Sequence, residues 1–416
     1  MAKPGTDGAR KGALRLLQGV RDRLSLADQA GALAALPPAD QARAGRLAAE
    51  VLRHRDRADA VLALHVTRKP APPVADVLRL ATVEMLELGG AAHGVVDAAV
   101  SLSRGLGQRG QAASGMVNAV LRKVSRHQGW GDLPPQRLPG WLRDPVVAAW
   151  GEDAARTIEA AHQTGAPLDL TLKPGTTFEG GLALPTGSVR LHVPAQVSAL
   201  PGFAEGDWWV QDAAAALPVR LLDPQPGERI ADLCAAPGGK TLQLAAAGAQ
   251  VTAIDISAAR LKRLAQNLAR CGLAADLVRA DALDWRPETA PDAILLDAPC
   301  SATGTIRRHP DLPFRRDGSS IADLLGLQAH LIDHALSLLQ AGGRLVYAVC
   351  SLLPDEGEAQ IAAALSRHPG LTVETSALTG TDPGWVTTGG GLRLRPDYWP
   401  ERGGMDGFFM ARLRLS

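Results

Sequence analysis

The stretch Asp232-Leu-Cys-Ala-Ala-Pro-Gly-Gly-Lys-Thr241 constrains the fold more than any other part of the chain. An apolar run with strand character, Arg229-Ile-Ala-Asp-Leu233, precedes it, and Thr241-Leu-Gln-Leu-Ala-Ala-Ala247, with helical character, follows. A strand, a glycine turn and a helix start form the crossover of an α/β sheet, where backbone amides approach a nucleotide-like ligand. After residue 220 the alternation continues. Strands are expected at 230–233, 251–254, 277–279, 293–296 and 345–349, with helices near 240–247, 257–271, 321–340 and 355–367. Such a rhythm gives a mostly parallel sheet covered on both faces, with the apolar run 408–413 at or near its edge.

Upstream the pattern is different. Residues from about 12 to 127 read as helices: Val74, Val77, Leu78, Ala81, Met85 and Leu88 step by three or four into one apolar stripe. Met116, Val117, Val120, Leu121 and Val124 do the same, while Arg122, Lys123 and Arg126 fall elsewhere on that helix. Pro70, Pro72 and Pro73 mark a break between helices. The Gly- and Pro-rich segment 127–140 reads as a linker, 141–165 as helix, and 168–212 as short β-like pieces, among them 168–172 and 188–193. The expected organisation is a helical domain at 1–130, a linker at 131–145, a small α+β subdomain at 146–215 and an α/β domain at 216–416. A chain of 416 residues is long enough for several real cores.

Charge is divided along the same line. Residues 1–131 hold 19 Lys and Arg against 11 Asp and Glu, whereas the remaining 285 hold 25 against 32. A basic helical front on a mildly acidic body fits either an arm that meets a polyanion or an ordinary solvated surface. No apolar run reaches the roughly 18 residues of a membrane span, and the first residues lack the apolar middle of a signal peptide. Four widely spaced cysteines give neither a disulfide framework nor a CxxC metal site, so no metal is expected and the cytoplasm is the expected compartment.

The expected chemistry gathers at strand ends. Gly238 and Gly239 let the backbone come close to a ligand, and Pro237 stiffens the start of the loop. Asp255 ends the second strand, 16 residues after Gly239, where an acid meets ribose hydroxyls. Asp281 ends the third strand and can read an adenine edge; Asp297 ends the fourth, and Asp232 lies on the first. Any one of these acids could instead cap a helix or a turn. Two further strands deliver cysteines, as Asp297-Ala-Pro-Cys300 and Tyr347-Ala-Val-Cys350. A cysteine attacks as thiolate, and the segment Pro354-Asp-Glu-Gly-Glu358 is expected to start a helix whose dipole favours that form beside Cys350. Cys271, at a helix end, reads as a small hydrophobe, and Cys234 acts through packing or its amide. The loop 303–316 carries Arg307, Arg308, His309, Arg315 and Arg316, which suits phosphate contacts or a solvated surface. A rival remains. Residues 234–241 match the phosphate loop GxxxxGK[ST] except that Cys234 replaces the first glycine. A nucleotide hydrolase of that type leaves Asp255, Cys300 and Cys350 without tasks.

These motifs resemble the RNA 5-methylcytosine methyltransferases of the NOL/NOP/Sun type over nearly the whole chain. The residues that carry the resemblance are DLCAAPGGKT at 232–241, DAPCSATGTIRRHPD at 297–311, YAVCSLLPDEGE at 347–358 and DGFFMARL at 406–413. The front end, with Val117-Asn-Ala-Val-Leu-Arg-Lys123, is similar to the NusB-like RNA-binding domain of the bacterial branch that acts on small-subunit ribosomal RNA. Ala302 and Val349 stand where that family commonly has Gly and Thr. The resemblance implies three parts: an all-α NusB-like domain, a small α+β subdomain and a Rossmann-like α/β methyltransferase domain. It also implies S-adenosyl-L-methionine as cofactor, held by Cys234, Ala235, Ala236, Pro237, Gly238, Gly239, Lys240, Asp255, Arg260, Asp281 and Asp297. Cys350 becomes the nucleophile, Cys300 assists release, and Asp297 and Lys240 contact or orient the base. RNA, with 16S rRNA first and transfer RNA second, is expected to meet Arg122, Lys123, Arg307, Arg308 and His309, and the chain is expected to be a monomer. A non-catalytic RNA-binding assembly factor is the remaining alternative.

Overall fold

The structure, a computed structural model, describes residues 6–191, 196–375 and 378–416. In chain order the helices α1 (Thr6–Arg21), α2 (Pro38–Arg53), α3 (Arg55–Ala63), α4 (Pro72–Leu86), α5 (Ala92–Arg104), α6 (Gln108–Val124) and α7 (Gly140–Gln163) come first. They follow the apolar periodicity: Val74, Val77, Leu78 and Ala81 of α4 are buried, as are Val117, Val120, Leu121 and Val124 of α6. Pro72 and Pro73 occupy the first turn of α4, where a missing N–H costs nothing. Glu84 of α4 accepts two hydrogen bonds from Arg10 of α1 (2.7 and 2.8 Å) and one from Arg43 of α2 (2.9 Å), which pairs the buried carboxylate twice over. The α7 segment is interrupted at Gly151, whose φ is 85°.

The chain divides into two compact units. One comprises Met1–Asp144, Glu152–Gly165 and Ile306–Gly318; the other comprises Pro145–Gly151, Ala166–Thr305 and Ser319–Ser416. The interior limits drawn from the sequence at 130 and 215 therefore fall inside these units. Residues 306–318 belong with the helices, for a visible physical reason. Ile306 and Leu312 are buried, and Phe314 packs against the helical core with the Arg55 guanidinium 5.0 Å from its ring centre.

The second unit opens with a four-stranded antiparallel sheet of β1 (Leu168–Leu172), β2 (Leu182–Ala183), β3 (Val189–Leu191) and β4 (Trp208–Val210), in the order β2-β3-β1-β4. The last two residues of the strand expected at 188–193 lie outside the described residues. Asp169 and Arg190, both wholly buried, make two 2.7 Å hydrogen bonds across β1 and β3. Asp169 also accepts from the Ala213 amide, at the start of α8 (Ala213–Leu222), and Arg190 donates to the Gly404 and Arg402 carbonyls. One buried ion pair thus fastens the small sheet to the body of the α/β domain.

That body continues as β5 (Arg229–Leu233), α9 (Gly239–Ala246), β6 (Gln250–Asp255), α10 (Ala258–Cys271), β7 (Asp276–Arg279) and β8 (Ala293–Asp297). The short α11 (Leu312–Arg315) of the helical unit comes next in sequence, before α12 (Ile321–Leu338), β9 (Arg344–Val349), α13 (Glu358–Arg367), β10 (Leu371–Val373), β11 (Leu392–Leu394) and β12 (Phe408–Leu415). The sheet order is β10-β12-β9-β8-β5-β6-β7, with β11 beside β12. From β9 through β7 the neighbours are parallel, while β12 is antiparallel to β9 and lies one place inside the edge, near it as expected. The near-continuous burial of β8 and β9 fits strands covered on both faces. No helix among the described residues is long and apolar enough to cross a membrane.

Candidate active site

Because β9, β8, β5, β6 and β7 are parallel neighbours, their carboxyl ends lie in one row, where open α/β sheets bind ligands. Register brings the two cysteine-bearing ends together. Asp297 pairs with Ala348, so the loop leaving β8 runs beside the loop leaving β9. The Cys300 and Cys350 sulfurs are 3.5 Å apart, and the Gly304 amide donates to the Cys350 carbonyl at 3.0 Å. Both cysteines are half-buried. The proton shared with Cys350, together with burial and the charge of Glu356, pushes the Cys300 thiol well above its ordinary pKa. Either thiol can donate to the other across that gap.

The glycine loop lies on the neighbouring strand. Cys234 adopts φ 61°, and its buried thiol, facing the charges of Asp297 and Asp255, is pushed up to about 12. A thiol raised that far stays protonated at neutral pH. Gly238 has φ 107°, and a Cβ there would come within 2.1 Å of Leu264 Cδ1, so only glycine fits. The loop is stitched to β6: the Ala235 amide donates to the Ile254 carbonyl (3.0 Å) and the Ala236 amide to Asp255 Oδ2 (3.1 Å). Asp255 Oδ1 accepts from the Ser257 amide at 2.9 Å, and Arg260 bonds both Asp255 Oδ2 (3.4 Å) and the Ala236 carbonyl. Asp255 and Arg260 thus brace the loop's far side. Pro237 is exposed and Gly239 opens α9, whose first amides have no partners within the helix. Asp281 lies two residues past β7, exposed, with Oδ1 accepting from the Leu283 amide at 2.9 Å.

Lys240, in the first turn of α9, joins the loop to the cysteines. Its ammonium donates to Asp297 Oδ2 at 2.7 Å and lies 5.4 Å from the Phe408 ring centre. Burial alone would lower its pKa; the charge and hydrogen bond of Asp297, with further help from Cys350, leave it raised and the group charged. Beneath it Asp232, wholly buried, accepts from Thr241 Oγ1 at 2.6 Å, and desolvation pushes its carboxyl up to about 7.

Two expectations need correction. Arg307 is fully buried, its carbonyl accepts from Arg53 at 2.8 Å, and it has no surface to offer a phosphate. The apolar residues Ile306, Leu312 and Phe314 in that loop were the sequence signal for packing. Arg308 is half-buried and His309 exposed, on a segment held in the helical unit. After Cys350 comes a one-turn 3₁₀ helix, Pro354–Glu356, and α13 begins only at Glu358, so the α-helix start does not adjoin Cys350. Arg122 and Lys123 are exposed on α6, opposite its buried stripe. Cys271 is buried, as a small hydrophobe should be. Sequence reading passed over Glu356, Ser301 and Ser351 as a group. Among the described residues no cluster of three or more His, Cys, Asp or Glu is gathered to hold a metal.

Comparison with known proteins finds relatives for both parts of the chain. The family model described as 16S rRNA methyltransferase RsmB/F matches residues 219–414, and that of the NusB family matches residues 7–126. Ribosomal RNA small subunit methyltransferase B of Salmonella arizonae is 40% identical over 343 residues, covering 76% of this chain and 76% of its own. The protein of the same name from Klebsiella pneumoniae subsp. pneumoniae is also 40% identical, over 76% of this chain and 75% of its own. Among solved structures, PH0851 shares the fold across 100% of this chain and 99% of that one, with TM-score 0.74 and 23% identity. A methyltransferase homolog protein from Pyrococcus horikoshii covers 66% of this chain and 94% of its own, with TM-score 0.53 and 29% identity.

Proposed function

The chain belongs to the 16S rRNA methyltransferase RsmB/F family, and from that premise we propose that it methylates carbon 5 of a cytosine in 16S rRNA through a covalent Cys350–cytosine adduct. The observation that carries this reading is the 3.5 Å separation of two unlike sulfurs beside the Lys240–Asp297 pair. S-adenosylmethionine, the family's cofactor, supplies an electrophilic methyl group when bound. The residues present suit it: the free first amides of α9 offer donors for a carboxylate, and the acids at the ends of β6 and β7 offer acceptors for hydroxyl and amino groups.

Cytosine carbon 5 is a poor nucleophile, so activation must come from the protein. The Cys350 thiolate adds to carbon 6, which raises electron density at carbon 5. A proton shared within the Lys240–Asp297 pair is presented to ring nitrogen 3 of the base, where negative charge develops as the adduct forms. After transfer, the carbon 5 proton passes to the Cys300–Cys350 pair, the electrons of that C–H bond restore the 5,6 double bond, and the carbon 6–sulfur bond breaks to release Cys350. Cys300, still protonated, donates to that departing sulfur. The target base must leave its stack to reach this row of strand ends.

The test is a pair of substitutions. Cys350→Ala should abolish methyl transfer and leave S-adenosylhomocysteine affinity intact. Cys300→Ala should accumulate a protein–RNA adduct that survives a denaturing gel. Normal turnover in the first, or no adduct in the second, overturns the division of labour. Bisulfite mapping of the labelled product separates 16S rRNA from transfer RNA as the substrate.

A further inference from the structure

We propose that Glu356 is a positioning residue for this reaction: its buried carboxylate ties the loop carrying Cys300 to the loop carrying Cys350 and thereby sets the gap between the two sulfurs. The inference rests on the two-cysteine reading above. Glu356 has no exposed surface, and its carboxylate is fully engaged. Oε1 accepts from the Ser301 amide at 2.8 Å and from Gln328 Nε2 at 3.0 Å; Oε2 accepts from the hydroxyls of Ser301 and Ser351. Ser301 and Ser351 are the immediate neighbours of the two cysteines, so one side chain holds both loops by the residue next to each sulfur. Its backbone is pinned as well, for the Tyr347 hydroxyl donates to the Glu356 carbonyl at 2.7 Å.

An ionised carboxylate only accepts hydrogen bonds, through about four lone-pair sites, and here four donors fill them. That fixes the direction of both serine protons. The Ser351 oxygen is then free to accept from the Leu353 amide (2.9 Å), while Thr303 Oγ1 accepts from the Leu352 amide (2.9 Å). The hydroxyls of Ser301, Ser351 and Thr303 close a triangle with sides of 3.1, 3.1 and 3.2 Å. A buried carboxylate is costly to desolvate unless paired or fully hydrogen-bonded, and a site that only needed filling would be met by an apolar residue. The charge has a second effect, because it adds to the Cys350 hydrogen bond, burial and the Cys350 charge in opposing ionisation of Cys300.

The test compares full-length Glu356→Gln and Glu356→Ala with wild type. Glutamine keeps the shape and can reorient the serine hydroxyls, but it removes the charge. Single-turnover methyl transfer to an rRNA fragment should slow roughly tenfold in Glu356→Gln and roughly a hundredfold in Glu356→Ala, with KM for RNA and S-adenosylhomocysteine affinity within about twofold of wild type. Alkylation of Cys300 by iodoacetamide, followed by peptide mass spectrometry across pH, should shift to lower pH in Glu356→Gln, giving at least about a threefold faster reaction at pH 8.5. The proposal is overturned if Glu356→Gln either transfers methyl groups or alkylates Cys300 as wild type does. It is equally overturned if that variant loses cofactor affinity in step with rate, since the residue would then be merely structural. The alkylation profile needs no RNA. Failure of the two-cysteine mechanism would show in the absence of an adduct from Cys300→Ala, and failure of the positioning role in an unmoved profile.

Discussion

Asp232 lies at the bottom of the site, where desolvation holds its carboxyl near pKa 7 against an ordinary 3.8 and Thr241 supplies its hydrogen bond. A folded state with the higher pKa binds the proton more tightly. The stabilisation is therefore complete below about pH 4 and is lost as pH rises through about 7. Asp232→Asn keeps an acceptor for Thr241 but cannot ionise. Its thermal stability relative to wild type should improve between pH 5 and pH 7, by at most about 3 kcal/mol, and level off above that. Melting curves across that range check this, and a constant offset between the two proteins would show that Asp232 does not titrate there. At this scale the sequence was most informative for side chains delivered directly by strands. Cys350, Cys300 and Asp297 were readable because a strand end fixes where its next residues go. Glu356 was hidden, since its role depends on a tight turn that aims it backwards into the site, where the sequence suggested a helix start.

Elements carry the next level of constraint. The α/β strands and their parallel order follow from apolar runs alternating with helices, and β5, β6 and β8 appear within a residue or so of where the pattern put them. The place of β12 near the edge followed too, but its antiparallel direction did not, because pairing beside β9 is decided by a partner 60 residues away in sequence and not by its own apolar content. The small sheet was legible only as short β-like pieces, since its anchor is a tertiary ion pair. Asp169→Ala would leave the Arg190 guanidinium buried without its carboxylate, a loss of about 3–5 kcal/mol. Denaturant unfolding should show it, and a change below about 1 kcal/mol would mean the carbonyls of Arg402 and Gly404 suffice for Arg190.

For the whole molecule, the division of charge remains a guide to function. Arg122 and Lys123 project from the helix α6 while its other face is packed. If they grip phosphates, Arg122→Ala with Lys123→Ala should weaken rRNA binding and reduce the slope of log affinity against log salt by about 1.5. Cofactor affinity should not change. A titration series from low to moderate salt measures this, and an unaltered slope removes α6 from the RNA-binding surface. The basic loop after Cys300 shows where composition misleads, because charged residues that read as a polyanion grip can be interleaved with apolar ones that pull the segment inward.

That segment has a consequence for how such genes can be rearranged. Asp311 accepts from the Leu26 amide, the Arg315 carbonyl accepts from Arg23, and Phe314 rests on the front-end core, all from a stretch encoded deep in the catalytic half. A crossover near codon 130 would pair a new front end with a guest peptide shaped for another host. Exchange of this half as a cassette therefore demands a matching rewrite of codons 306–318, and lineages that dispense with the front end should carry polar residues there in place of Ile306, Leu312 and Phe314.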